Sequence, residues 1–276
     1  MAAGFRDRCG QSPARLDVHT YSNTVARVAS VLRSSGYLSV RKLMCTVSFV
    51  PKDQAFYVAM NRDEKRSRSI ALPPRIVTVA GCRAIFPREP NGGTWIAVND
   101  AGVCLALLNW HRIEREPAHK ITSRGQVVSE LAVKLDSHDV ADGLKNLRLK
   151  EIRPFRLVAI VPKEKAVAEW RWNLERLSEY KHPWSIQHWF SSGFDEAKAE
   201  SMRRRICEKT AADDIDRLRG LHRSHLPERG PFSICMHRTN AATVSYTEVT
   251  VENRNVTMRY KPGPLCLASP TVTKSL

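Results

Sequence analysis

The chain has 276 residues, 42% of them apolar and 26% charged, ordinary values for a globular protein with a substantial core. No stretch approaches the roughly 20 uninterrupted apolar residues of a membrane helix, so no transmembrane segment is read. The net charge of +16 favours anionic partners. However, Ser191 to Gly230 holds nine basic and eight acidic residues, and no nucleic-acid-binding signature is present, so no specific nucleic acid is expected.

Residues 1–43 carry seven Lys and Arg, two Asp and many Ser, the composition of a targeting segment as well as of a basic arm. Three readings stand together: translation from an upstream start codon, a removable segment of mitochondrial type, or a basic extension. The folded domain is expected over 44–262, with 263–276 as a proline-bearing tail. Scattered cysteines without a CxxC pair, and no secretory apolar run, point to a reducing, cytoplasmic setting.

From Cys45 to Val50 apolar residues alternate at period two, a half-buried strand. Lys52-Asp53 turns the chain and Ala55 to Met60 returns as a second strand. Arg75 to Ala80 is a third. Thr94 to Val98 and Val103 to Leu108, around Asn99-Asp-Ala-Gly102, form a hairpin. Helical spacing then sets in: Val127, Val128, Leu131 and Leu135 share a face, and Ser123 with Gln126 reads as a capping box. A second helix covers about 139–147. Strands return at Phe155 to Val161, Ala166 to Trp172 and Ile186 to Phe190. Helices follow over 195–209, with Ala199, Met202 and Ile206 on the stripe, and over 213–221. Ser233 to His237, Thr243 to Val251 and Asn255 to Tyr260 close the chain as strands. Strands, helix pair, strands, helix pair, strands predicts an α+β layered sandwich of mostly antiparallel sheets.

Cys45 can own a built-in base. If the chain began there, its free α-amine, with a pKa of about 7.7–8.0, would lie beside its thiol. A hairpin of the first two strands brings Asn61-Arg62-Asp63-Glu64 back toward Cys45. There Arg62 favours a thiolate and Asp63 can orient an amine. A solvated turn is the competing reading of that block. Cys235 and His237 form a C-x-H pair, two ligands where zinc takes four, and are read as a buried Cys beside a polar His. No cofactor and no metal are assigned.

Met44-Cys45-Thr46, Asn61 to Glu64, Asn91-Gly-Gly-Thr-Trp-Ile-Ala-Val-Asn99 and Gly102 to Asn109 resemble the Asn-Arg-Asp-Glu (NRDE) proteins, the transport-and-Golgi-organisation type-two family. That resemblance implies the four-layer αββα sandwich of N-terminal-nucleophile (Ntn) hydrolases, whose members cut non-peptide amide bonds. It implies Cys45 as nucleophile, Arg62 beside its sulfur, Asp63 beside its amine, Asn109 at the oxyanion and Arg238 on a late strand. Asn109 reads equally as a strand-end cap. Ser191-Ser192 stands where the family usually has Ser-Asn, and His237 to Thr243 keeps only the Arg of a Thr-Arg-Ser-Thr-Thr stretch. The Cys45-to-Asp63 spacing is one residue shorter than in the hydrolases. The function expected is amide or thioester hydrolysis or acyl transfer on a small molecule, with haem or acyl-lipid carriage on the same fold as the alternative. An upstream residue on Cys45 turns its amine into an amide and removes the base. Lys65, Arg66, Arg68 and Arg75 are a solubilising loop or an attraction for an anionic substrate.

Overall fold

The computed structural model describes residues 44–118 and 120–276, so the readings for 1–43 lie outside the described residues. Two antiparallel sheets organise the chain. The first runs in the order β10-β1-β2-β11-β12-β13, from Gln187–Ser192, Met44–Pro51, Ala55–Lys65, Ala241–Glu252, Asn255–Pro262 and Val272–Ser275. The second runs β3 to β9 in sequence order. Its strands are Leu72–Val79, Cys82–Arg88, Ile96–Asn99, Cys104–Asn109, Phe155–Val161, Ala166–Trp172 and Leu177–His182.

Strand alternation gives each sheet two buried faces. Val47, Phe49, Val58 and Met60 of the first sheet meet Ile96, Val98, Ala106 and Val158 of the second in one apolar cluster. The opposite face of the second sheet, with Leu105, Leu157 and Trp170, is covered by α1 (Gly125–Leu131) and α2 (Ser137–Asn146). The opposite face of the first sheet, with Ala59, Phe190 and Tyr246, is covered by α3 (Glu196–Lys209) and α4 (Ile215–Arg223). The layers are therefore helix, sheet, sheet, helix, the order that the NRDE resemblance implies. Among the described residues no helix is long and apolar enough to cross a membrane.

Several elements differ from the sequence reading. The first helix stops at Leu131, and Leu135 is exposed beyond it, because Asn99 Nδ2 donates to the Ala132 and Lys134 carbonyls (3.2 and 2.8 Å) and fixes that end. At its start the Ser123 hydroxyl accepts from Gly125 N–H at 3.3 Å and the Gln126 N–H donates to the Ser123 carbonyl instead of its side chain, so the expected capping box is not formed. Ser233 to His237 is a loop with a single bridge between His237 and Ala242. All of Ser233 to Met236 is buried, so the two-fold alternation of a strand is missing. The segment read as a tail ends in β13, which pairs with β12 from Thr257↔Ser275 to Tyr260↔Val272.

Candidate active site

The block Asn61 to Glu64 lies inside β2, not in a turn after it. Antiparallel pairing sets Cys45 opposite Arg62 and Thr46 opposite Asn61. Alternation then splits the block. Arg62 and Glu64 share the face of Cys45 and look toward the second sheet, while Asn61 and Asp63 look toward the α3–α4 layer. On that outer side Asn61 Nδ2 donates to the carbonyls of His222 and Ile234, both at 2.9 Å. Thr243 Oγ1 donates to Asp63 Oδ1 at 2.6 Å, and the fully buried Arg203 stands 3.5 Å from Asp63 Oδ2.

On the inner side the two sheets part around a pocket of about 340 Å³. Cys45, Arg62 and Glu64 line it from the first sheet, Trp95, Leu107 and Asn109 from the second, and Arg124 and Gly125 from the start of α1. The Arg62 guanidinium lies 4.3 Å over the Trp95 ring and pairs with Glu64 (3.4 Å) and Glu89. Arg68 also reaches Glu89, at 2.5 Å. Arg124 donates to the Pro154 carbonyl at 3.3 Å and has no ion pair among the described residues; Arg153, also on the wall, pairs with Glu116. Four arginines against two glutamates leave the lining cationic. The Gly92-Gly93 step makes this wall possible. Gly92 adopts φ +96°, and a Cβ on Gly125 would come within 2.9 Å of Thr94 N, so α1 approaches backbone to backbone.

Burial pushes the Cys45 thiol up to about 12, with the Asp63 carboxylate adding to the effect and Arg62 opposing it weakly. With Met44 attached, the sulfur is therefore a thiol at neutral pH. Burial also raises Asp63 to about 7, against the pull of Arg203 and Thr243. Met44 itself is fully buried, packed with Met236 and Ala241, and its Sδ lies 3.9 Å from the Arg203 nitrogen that faces Asp63. Asp63 Oδ2 has no hydrogen-bond donor among the described residues.

The model of the family described as Transport and Golgi organisation 2 matches residues 44–253, well over half of the chain. The chain belongs to that family. No curated protein matches the sequence. Among solved structures, a mutant conjugated bile acid hydrolase from Clostridium perfringens is similar at 10% identity. It covers 84% of this chain and 96% of its own, with a TM-score of 0.48. Penicillin V acylase from Agrobacterium tumefaciens is similar at 9% identity, over 82% of this chain and 84% of its own, with a TM-score of 0.49.

In this Transport and Golgi organisation 2 chain, Cys45, Arg62 and Asn109 share the pocket, and Asp63 stands behind it on the other face of β2. Arg238 is not among the lining residues; its guanidinium lies 4.8 Å over the Phe194 ring. Ser191, not Ser192, is the cross-strand neighbour of Cys45, and its buried Oγ has no partner among the described residues. Ser192, opposite Met44, instead donates to the Phe194 carbonyl at 2.7 Å. Arg203, Thr243, Glu89 and Arg124 were not singled out from sequence. Arg203 had a signal, since it sits at helical spacing between the buried Ala199 and Cys207. Glu89 and Arg124 carry none, because long-range pairing alone brings them in.

Proposed function

We propose that this chain, in a form that begins at Cys45, is a cysteine amidohydrolase or acyltransferase for a small anionic amide or thioester. The observation that supports it most is the Cys45↔Arg62 pairing, which sets a thiol and a guanidinium at the floor of a pocket whose far wall carries Asn109. Removing Met44 would open a buried space flanked by Arg203 and leave the Cys45 α-amine on the Asp63 side of the sheet. An ammonium there would meet the carboxylate oxygen that lacks a donor.

The free amine takes the thiol proton, and the thiolate attacks the substrate carbonyl. The Asn109 amide N–H holds the developing oxyanion, an interaction worth about 3 kcal/mol of barrier in comparable sites. The ammonium returns its proton to the leaving nitrogen or sulfur. The acyl–sulfur bond is then broken by water or by an acceptor amine. Arg124, which lines the pocket and forms no ion pair among the described residues, would bind an anionic group of the substrate. The predominantly polar wall argues against haem or acyl-lipid carriage, which needs apolar lining. The free cysteines at 45, 82, 104, 207, 235 and 266 support a reducing, cytoplasmic setting.

The test compares protein beginning at Cys45 with the full chain, using an electrophilic lactone or activated amide and locating the adduct by peptide mass spectrometry. One adduct on Cys45, absent from Cys45→Ala and from the full chain, is expected. Equal labelling of the Cys45→Ala protein, or no labelling alongside stoichiometric haem binding, refutes the proposal.

A further inference from the structure

Away from the pocket, on the α4 side of the first sheet, four residues from two loops converge. His225 follows α4, Cys235 and His237 lie in the loop before β11, and Cys266 follows β12. One nitrogen or sulfur atom from each lies within 4.8 Å of the others. The separations are specific. Cys235 Sγ is 3.6 Å from Cys266 Sγ and 3.6 Å from His237 Nε2, and Cys266 Sγ is 3.3 Å from His237 Nε2. A tetrahedron with Zn–S of about 2.3 Å and Zn–N of about 2.0 Å has sulfur–sulfur edges of about 3.8 Å and sulfur–nitrogen edges of about 3.5 Å. His225 packs edge-on to His237, with ring centroids 5.1 Å apart, and its buried Nε2 has no hydrogen-bond partner among the described residues.

We propose that His225, Cys235, His237 and Cys266 bind one zinc ion as a closed, structural Cys₂His₂ site. Two thiolates and two imidazoles suit a borderline-soft cation without a geometric preference of its own, and four protein ligands leave no open position for catalysis. Binding deprotonates both thiols, and the two protons leave to solvent. The thiolates balance the dication in a neighbourhood that otherwise holds the exposed Arg229, 3.5 Å from His237 Nδ1. With Nε2 on the metal, Nδ1 keeps the proton and that surface arginine turns away.

The site would act as a staple. Cys235 N–H already bonds the Ser224 carbonyl at 3.0 Å, which ties the loop to the end of α4. Between Cys235 and His237 lies Met236, packed on Met44, and its N–H donates to the Thr243 hydroxyl that in turn donates to Asp63. The metal would therefore fix the wall behind Asp63 without touching the pocket.

The experiment uses the full chain purified under reducing conditions without chelator. Elemental analysis should give about one zinc per chain. Cobalt(II) added to the metal-stripped protein should saturate at one equivalent, with the intense visible bands of a four-coordinate ion and thiolate-to-cobalt charge transfer. Cys266→Ser and His225→Gln, both at half-buried loop positions, should weaken cobalt binding by more than the ~10–100-fold typical of losing an outer partner of a ligand. Three results overturn the proposal: a folded wild-type protein with free thiols that takes up no cobalt, cobalt binding unchanged in Cys266→Ser, or an intact mass lower by two hydrogens from a Cys235–Cys266 disulfide. If either variant fails to fold, the charge-transfer intensity of the wild-type protein, which counts its thiolate ligands, decides alone.

Discussion

Replacing Arg203 by Met tests whether the polar layer behind Cys45 is held by charge. Arg203 and Asp63 are both fully buried, 3.5 Å apart, and the Arg203 guanidinium also donates to Thr46 Oγ1 at 2.9 Å. Removing one partner of such a pair costs about 3–5 kcal/mol, because the other charge stays buried alone. The cost should depend on pH. Burial raises Asp63 to about 7 in the folded protein, above its ordinary 3.8. Between these values the folded state holds a proton that the unfolded state has released. Stability from this group is therefore fully present below pH 4 and is lost as pH rises through 7. At pH 5 Asp63 is already neutral, so Arg203→Met should cost clearly less there than at pH 8. Adding Asp63→Asn should recover much of the loss at pH 8 by removing the stranded charge. Urea unfolding of the four proteins at both pH values measures this. A loss below 1 kcal/mol at pH 8, or an equal loss at both pH values, would refute the electrostatic account.

Three further outcomes are expected. Asn61→Ala leaves the His222 and Ile234 carbonyls without donors and should cost ~2–4 kcal/mol in urea unfolding. Glu169→Gln, at a fully buried position contacted by Arg156 (2.5 Å), Arg171 (2.8 Å) and His182 (2.9 Å), strands three groups that its carboxylate holds. The loss should be ~3–5 kcal/mol at neutral pH, and a change within 1 kcal/mol contradicts it. His222 is lowered by burial to about 3, so its neutral form contributes stability above its ordinary 6.5 that is lost as pH falls toward 3. Its ring proton shift in NMR should therefore stay flat down to about pH 5.

Much of the fold was legible because its signals are local. Cys45 to Val50, Phe155 to Val161 and Ala166 to Trp172 announce strands by composition and alternation, and the hairpin from Thr94 to Asn109 by its turn residues. Three strands were not read from sequence: Cys82–Arg88, an interior strand whose buried run from Ala84 to Pro87 is short and flanked by arginines, and two with weaker signals. Leu177–His182 and Val272–Ser275 are edge strands with largely exposed side chains, so hydrophobic patterning has little to mark. The helix stripe over 195–209 was read one residue out of phase. Arg203 turns inward with Ala199 and Cys207, and leaves Met202 and Ile206 half-buried. A pattern that treats arginine as solvent-facing cannot place a buried ion pair whose partner is 140 residues away in the chain. The same holds for Arg124 and Glu89, which reach the pocket only through the packing of α1 and β4.

The polar block of β2 shows how one strand can serve two environments. Period-two geometry requires Arg62 and Glu64 to face Cys45 whenever Asn61 and Asp63 face the helices, so both sets follow from a single register. A one-residue slip of β1 against β2 would exchange them, bringing the acid and amide into the pocket and the guanidinium against the α3–α4 layer. That layer already holds Arg203, so the slipped pairing would set the Arg62 guanidinium beside it while taking away Asp63, the carboxylate that pairs with Arg203. The apolar residues of β2 oppose the slip as well, since Val58 and Met60 would leave the core between the sheets. The pairing of Cys45 with Arg62 is thus fixed by the same burial that stabilises the sandwich, and the pocket inherits its position from the core.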